Sequence, residues 1–303
     1  MMRIDALKSL DECFEVAAET KSLHRAAKQL LLQKISTFPE MRKFNSKKTE
    51  AKHPGWSNPG LMMLLDDARS NFDEDFTANQ KVRLLDHLQK MQFRDEKLLE
   101  RFADSIRTGK ITQSNHLTHL MYIFAKYKWK SPISDDYIQI ALQRIINEPG
   151  LNSYLATRNL WNLYAFDYYD EVALNRFSLV LRETKPEKLS ELDIADALRS
   201  FAHFQHIDYD CLEVLLKQSI RRADSFSLQS LAVVLNAFAE LEIVNPTLLT
   251  ISKQTILAKI DRKAVTADNK PLIIGERPKL KPVDSAMFMA AFSRSEFFND
   301  PAL

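Results

Sequence analysis

Glycine is scarce in this chain, with five in 303 residues, and cysteine scarcer, with two. Few glycines argue against a β-sandwich or a glycine-rich nucleotide-binding fold, because both need many tight turns or a backbone loop that wraps phosphate. Cys13 and Cys211 lie far apart in sequence and build no disulfide framework, so they read as buried thiols of a reducing compartment. No run of 18 apolar residues is present to span a membrane. The first twenty residues, with Asp5, Asp11, Glu12, Glu15 and Glu19, resemble neither a secretory signal nor an acid-poor organellar presequence. Charge of one sign is also missing: 42 basic against 40 acidic residues leave +2, too little for a global field that attracts nucleic acid or anionic lipid.

Catalytic motifs are absent as well. The chain contains no GxxxxGK(S/T), GxSxG, CxxC or HExxH, so the expectation is a protein without enzymatic activity, cofactor or small-molecule substrate. His203, His206 and Cys211, and the pair His116 and His119, are incomplete as zinc sets and read as helix-surface histidines beside a buried thiol.

What the sequence does have is a repeat. LRSFAHF at 198–204 returns as LNAFAEL at 235–241, and stepping back from Phe201-Ala202 and Phe238-Ala239 reaches Tyr164-Ala165, Phe124-Ala125 and a fainter echo at Leu88, at intervals of 36, 40, 37 and 37. Within a unit, Ile194, Leu198, Phe201 and Phe204 mark one helical face; Leu212, Leu215, Leu216 and Ile220 mark a second after a polar break. Ser190 with Asp193 forms a capping box, Asp208 caps a second helix, and Asn245-Pro246 combines an N-cap with proline at the first helical position. A pair of helices fills each unit, and a hairpin buries its remaining apolar surface only by stacking on neighbours. The predicted fold is therefore all-α: a right-handed α-solenoid of hairpins with a period of about 37–38 residues. Phe201, Phe238, Tyr164 and Trp161 are read as packing residues, and Ala202 and Ala239 as close-approach points.

These units, with LMYIFAKY, LRSFAHF and LNAFAEL as first helices and FRDEKLLERFADSI and IDYDCLEVLLKQSI as second helices, resemble the helical repeats of the FAST-kinase-like and RAP-domain proteins, also called heptatricopeptide or octotricopeptide-like repeats. The resemblance covers about residues 80–260. It implies an organellar, most often mitochondrial or plastid, protein of RNA maturation, RNA stability or ribosome assembly. The 43 residues after 260 are expected to be too few for the RAP domain that often ends such proteins.

Five segments are predicted: a basic helical arm at 1–53, a linker with an acidic patch at 54–78, the repeat array at 79–260, a basic linker at 261–283 and an amphipathic helix at 284–303. From Lys21 to Lys52 nine basic residues face two acidic ones; DDARSNFDEDF at 66–76 holds five acids and one arginine and reads as a solvated or protein-facing patch. Expected contacts to RNA or a partner are Lys28, Lys34, Arg42, Lys43, Lys47 and Lys48 on the arm. On the repeats they are Asn162, Arg199 and Asn236, one residue past a repeated apolar position, with Arg221 and Arg222 at a helix end. Two functions stay open. One is an RNA-associated component of a mitochondrial ribosome or RNA-processing particle, with ribosomal RNA as the expected partner. The other is a scaffold or accessory subunit of another large mitochondrial complex, such as the respiratory chain or ATP synthase.

Overall fold

The computed structural model describes residues 4–19, 23–42, 57–72, 76–261 and 281–293. They contain fifteen α-helices and no strand. Two compact units divide the chain at residues 145 and 146.

The first unit holds α1 (Leu10–Ala18), α2 (Arg25–Thr37), α3 (Pro39–Arg42), α4 (Pro59–Ser70), α5 (Ala78–Lys90), α6 (Glu96–Arg107), α7 (Ser114–Lys126) and nearly all of α8 (Asp136–Ile146). The second holds α9 (Ser153–Phe166), α10 (Glu171–Glu183), α11 (Glu191–His203), α12 (Tyr209–Arg221), α13 (Leu228–Glu240), α14 (Pro246–Asp261) and α15 (Pro282–Ser293). The capping predictions hold. Ser190 and Asp193 form the reciprocal capping box of α11, and the side chains of Asp208 and Asn245 accept the backbone N–H of Cys211 and Leu248. Thr77 and Gln80 repeat the capping box on α5, while Asp95, Asn152, Asp170 and Ser227 cap α6, α9, α10 and α13.

The first helices α5, α7, α9, α11 and α13 also end alike. Gln92, Lys128, Asp167, Gln205 and Glu242 have φ between 50° and 58°, the left-handed conformation that closes a helix. In every case the N–H of the next residue returns to a carbonyl five positions back: Phe93 to Leu88, Trp129 to Phe124, Tyr168 to Leu163, His206 to Phe201 and Ile243 to Phe238, at 2.8–3.0 Å. The acceptors are the repeat's core knobs, and all five side chains are buried. One expectation is thereby corrected. The knob of α9 is Leu163, not Tyr164, and Leu160, not Trp161, is the equivalent of Leu198; Tyr164 and Trp161 sit half-exposed one step round the helix.

In the second unit α9, α11, α13 and α15 pack side by side, and α10, α12 and α14 form a second layer behind them. α15 thus takes the place of one more first helix, and Phe288, Ala291 and Phe292 supply its buried face. In the first unit α5 packs between α2 and α7, and α1 packs on α4. The stretch expected to be a linker contains α4, whose Leu61, Leu64, Leu65 and Ala68 are buried. Gly60 permits its close approach to α1: a Cβ there would meet the Phe14 carbonyl oxygen at 2.2 Å.

Candidate functional site

Several expected contact residues are already engaged inside the protein. Lys28 is buried, with Nζ 2.6 Å from Asp67 Oδ2, so it is a strut between α2 and α4 and not part of an open basic arm. That contact also turns one acid of the 66–76 patch inward. Lys34 is half-buried and its Nζ lies 3.4 Å from the Asp5 carbonyl oxygen. Arg42 ends α3, and Lys43, Lys47 and Lys48 lie outside the described residues.

On the repeats, Asn162 is 0% exposed and its amide donates to Asn159 Oδ1 at 3.3 Å. The register correction explains this: Asn162 occupies the place of Ser200, which is also buried, and Trp161 occupies the place of Arg199. Arg199 and Asn236 do face outward in part. The Arg199 guanidinium lies 5.7 Å from the Tyr164 ring centroid, and Asn236 Nδ2 donates to Glu240 Oε1 at 2.9 Å. Arg221 is exposed.

Arg222 is not an outward contact. Its guanidinium donates to the Leu189 carbonyl and to Glu191. The same clamp recurs in Arg144, which donates to the Ile111 carbonyl at 3.2 Å, and in Lys259, which donates to that of Phe226, each spanning 33 residues. Ile111, Leu189 and Phe226 are buried just ahead of a first helix. A cation at the end of the second helix thus satisfies a carbonyl beside the start of its own partner, a structural role in all three hairpins.

With the register fixed, the outward position two residues before each knob reads Asp86, Tyr122, Trp161, Arg199 and Asn236. Around it in the second unit lies an aromatic and cationic face: Arg158 sits 5.8 Å from the exposed Tyr154 ring, and His203 meets Tyr164 edge-on at 5.1 Å and Asp167 Oδ1 at 2.7 Å. In the first unit His119 stacks on Tyr122 at 6.4 Å, and Lys126 Nζ lies 5.3 Å over that ring. His119, followed by Lys90, holds the Asp86 carboxyl down to about 2, below the usual carboxylate range.

Immediately beyond this helix comes a group of residues for which sequence reasoning assigned no role. Lys126, Lys128 and Lys130 are all exposed on one turn, because Lys128 takes the left-handed position and Trp129 and Tyr127 turn inward. Arg94 joins them from the preceding hairpin, donating to the Tyr127 carbonyl at 3.3 Å. The signal was there: KYKWK alternates lysine with inward-turned aromatics, Trp129 buried and Tyr127 half-buried, which sets every lysine on the outside.

Among the described residues no group of three His, Cys, Asp or Glu side chains is placed to hold a metal ion, and no helix is long and apolar enough to cross a membrane. Cys13 and Cys211 are buried, and burial pushes the Cys211 thiol up to about 11. Burial likewise drives His87, His116 and His206 below the ordinary histidine value, because each resists taking a charge in a poorly solvated place. The unfolded chain binds these protons near pH 6.5, the folded chain only at lower pH, so the stability they confer is full above about 6.5 and declines as pH falls. The urea midpoint at pH 5.5 is therefore expected below that at pH 7.5; an unchanged or higher midpoint would refute this account. No protein-family model matches the chain, and no characterised protein shows significant similarity to it.

Proposed function

We propose that this protein is a non-enzymatic helical-repeat protein that associates with RNA, its hairpins stacked as a right-handed solenoid, in an organellar particle such as a mitochondrial ribosome or an RNA-processing complex. The observation that carries the reading is the turn bearing Lys126, Lys128 and Lys130 next to the stacked Tyr122 and His119 rings. Ammonium groups neutralise phosphates and release counterions, while a neighbouring ring offers a stacking face to an unpaired base. Single-stranded RNA suits this pairing better than duplex, whose bases are not free to stack on side chains. The organellar setting is supported by the repeat resemblance.

The test is anisotropy of a labelled 20-nucleotide single-stranded RNA, titrated with the full chain across a salt series. Three neutralised phosphates correspond to a log–log slope of roughly −2 from these lysines alone. Lys126→Gln/Lys128→Gln/Lys130→Gln is expected to remove that part of the slope and weaken binding about tenfold, with the melting temperature unchanged. Glutamine suits the middle position, since Gln92 and Gln205 adopt the same left-handed conformation. Identical slopes for the two proteins would remove the RNA reading from this surface. Ribonuclease-resistant cosedimentation from native cells would instead favour a protein scaffold, a reading that the exposed apolar residues of the second unit support.

A further inference from the structure

The residue two past each left-handed position changes character along the chain. It is Arg94 and Lys130 in the first unit; in the second it is Tyr169, Ile207 and Val244, which are 58%, 48% and 53% exposed. Exposed Val172 and Tyr209 flank them. These side chains occupy equivalent turns of adjacent hairpins, and Tyr169 reaches the next turn, its ring 6.0 Å from that of Phe204. Single exposed apolar residues are ordinary, but the same position left apolar and exposed in three successive turns is a stripe.

The turns that carry it, 167–172, 205–210 and 240–245, hold the acids Asp167, Asp170, Glu171, Asp208, Asp210, Glu240 and Glu242, and no lysine or arginine. Among the described residues Asp210 pairs with Arg182 at 3.1 Å, and Asp167 Oδ1 lies 2.7 Å from His203 Nε2. An RNA backbone would be repelled from such an edge; a positively charged chain with apolar side chains would be drawn to it.

We propose that the stripe Tyr169–Ile207–Val244 docks an extended, basic segment of another protein that carries an apolar side chain at every third residue. The periodicity follows from spacing. Packed helices lie about 8–10 Å apart, and a polyproline II strand, with three residues per turn and a rise of about 3.1 Å, repeats a side chain on one face about every 9 Å. Apolar residues three apart then reach successive hairpins, and the basic residues between them face the acids. This inference does not depend on RNA binding by the first unit.

A twelve-residue peptide of four Lys-Leu-Ser repeats tests it, against a control of identical composition with its leucines contiguous, both labelled and titrated with the full chain. The periodic peptide is expected to bind at least about tenfold more tightly than the control. Tyr169→Ser/Ile207→Ser/Val244→Ser should abolish the preference while leaving the melting temperature unaltered, and Asp167→Lys/Glu242→Lys should weaken both peptides. Equal affinity for the two peptides, or an unaltered preference in the serine variant, would overturn the proposal. The chain's own KPLIIGERPKLK at 270–281 is a rival occupant. If Leu272→Ser/Ile273→Ser/Ile274→Ser raises the periodic peptide's affinity, that segment fills the stripe and a separate partner does not. Dimerisation of the chain that the peptide competes away would overturn it in favour of a second copy, and displacement of the peptide by single-stranded RNA in the lysine-turn variant would overturn it in favour of nucleic acid.

Discussion

Leu163→Ala is expected to destabilise the protein by about 2–5 kcal/mol and Phe201→Ala by about 3–5 kcal/mol, whereas Tyr164→Ala, one residue from the first, should cost only about 1 kcal/mol. Leu163 and Phe201 are almost completely enclosed, and truncation leaves a cavity that close-packed neighbours fill only in part. Tyr164 is half-exposed and touches Arg199 and His203 across the outer face, so its loss removes surface contacts and opens no void. Urea unfolding of the three variants ranks them directly. A Tyr164→Ala penalty larger than that of Leu163→Ala would mean that α9 is rotated by one residue from its place in this structure. The outward column would then pass through Asn162 and not Trp161.

That one-residue question shows what could be read from the sequence. The period, the paired helices and the caps at Ser190, Asp208 and Asn245 were legible because each rests on local chemistry: apolar spacing, a side-chain oxygen near free N–H groups, proline where no N–H is needed. The register of α9 was not, because LWNLYAF offers two overlapping matches. Trp161-x-x-Tyr164 is the more aromatic imitation of Leu198-x-x-Phe201, while Leu160-x-x-Leu163 is the true one. Only the left-handed turn decides, and at Asp167 it is marked by a residue type that also serves as a helix cap. The common connector, a ring-bearing or aliphatic residue, any residue, then Asp or Asn, is visible afterwards in FRD, YYD, HID and IVN, with Asp95, Asp170, Asp208 and Asn245 as its caps. α4 went unread since Asn58-Pro59-Gly60 carries turn residues, although they act as a cap, a helix start and a close approach. The charged sites failed for a different reason. Counting lysines and arginines says how much charge a segment carries; it does not say that Lys28 already has Asp67, or Arg222 a backbone carbonyl.

Asp95→Ala should be the most damaging change of a single charge, at about 3–5 kcal/mol, because its side chain is only 4% exposed and does two jobs at once. Oδ1 accepts the Leu98 N–H at 3.0 Å and starts α6, while Oδ2 accepts Arg69 Nε at 2.8 Å and also Nη2. Removing it uncaps the helix and strands a largely buried guanidinium with the more exposed Asp66 as its remaining ion-pair partner. Asp170→Ala removes a cap alone, so it should cost about 1 kcal/mol, and the difference between the two isolates the ion pair. The double variant Arg69→Met/Asp95→Asn then separates charge from cap: with no orphaned charge it is expected to recover to within about 2 kcal/mol of the parent. Equal penalties for Asp95→Ala and Asp170→Ala would show that Arg69 relaxes into solvent at little cost, and the pair would then be incidental. The expected inequality instead assigns α4 a fixed place in the first unit, held to α2 through Lys28–Asp67 and to the start of α6 through Arg69–Asp95. Two charged residues of the 66–76 stretch are consumed in that attachment. One is an acid and the other a base, so the attachment leaves the net charge of the stretch unchanged.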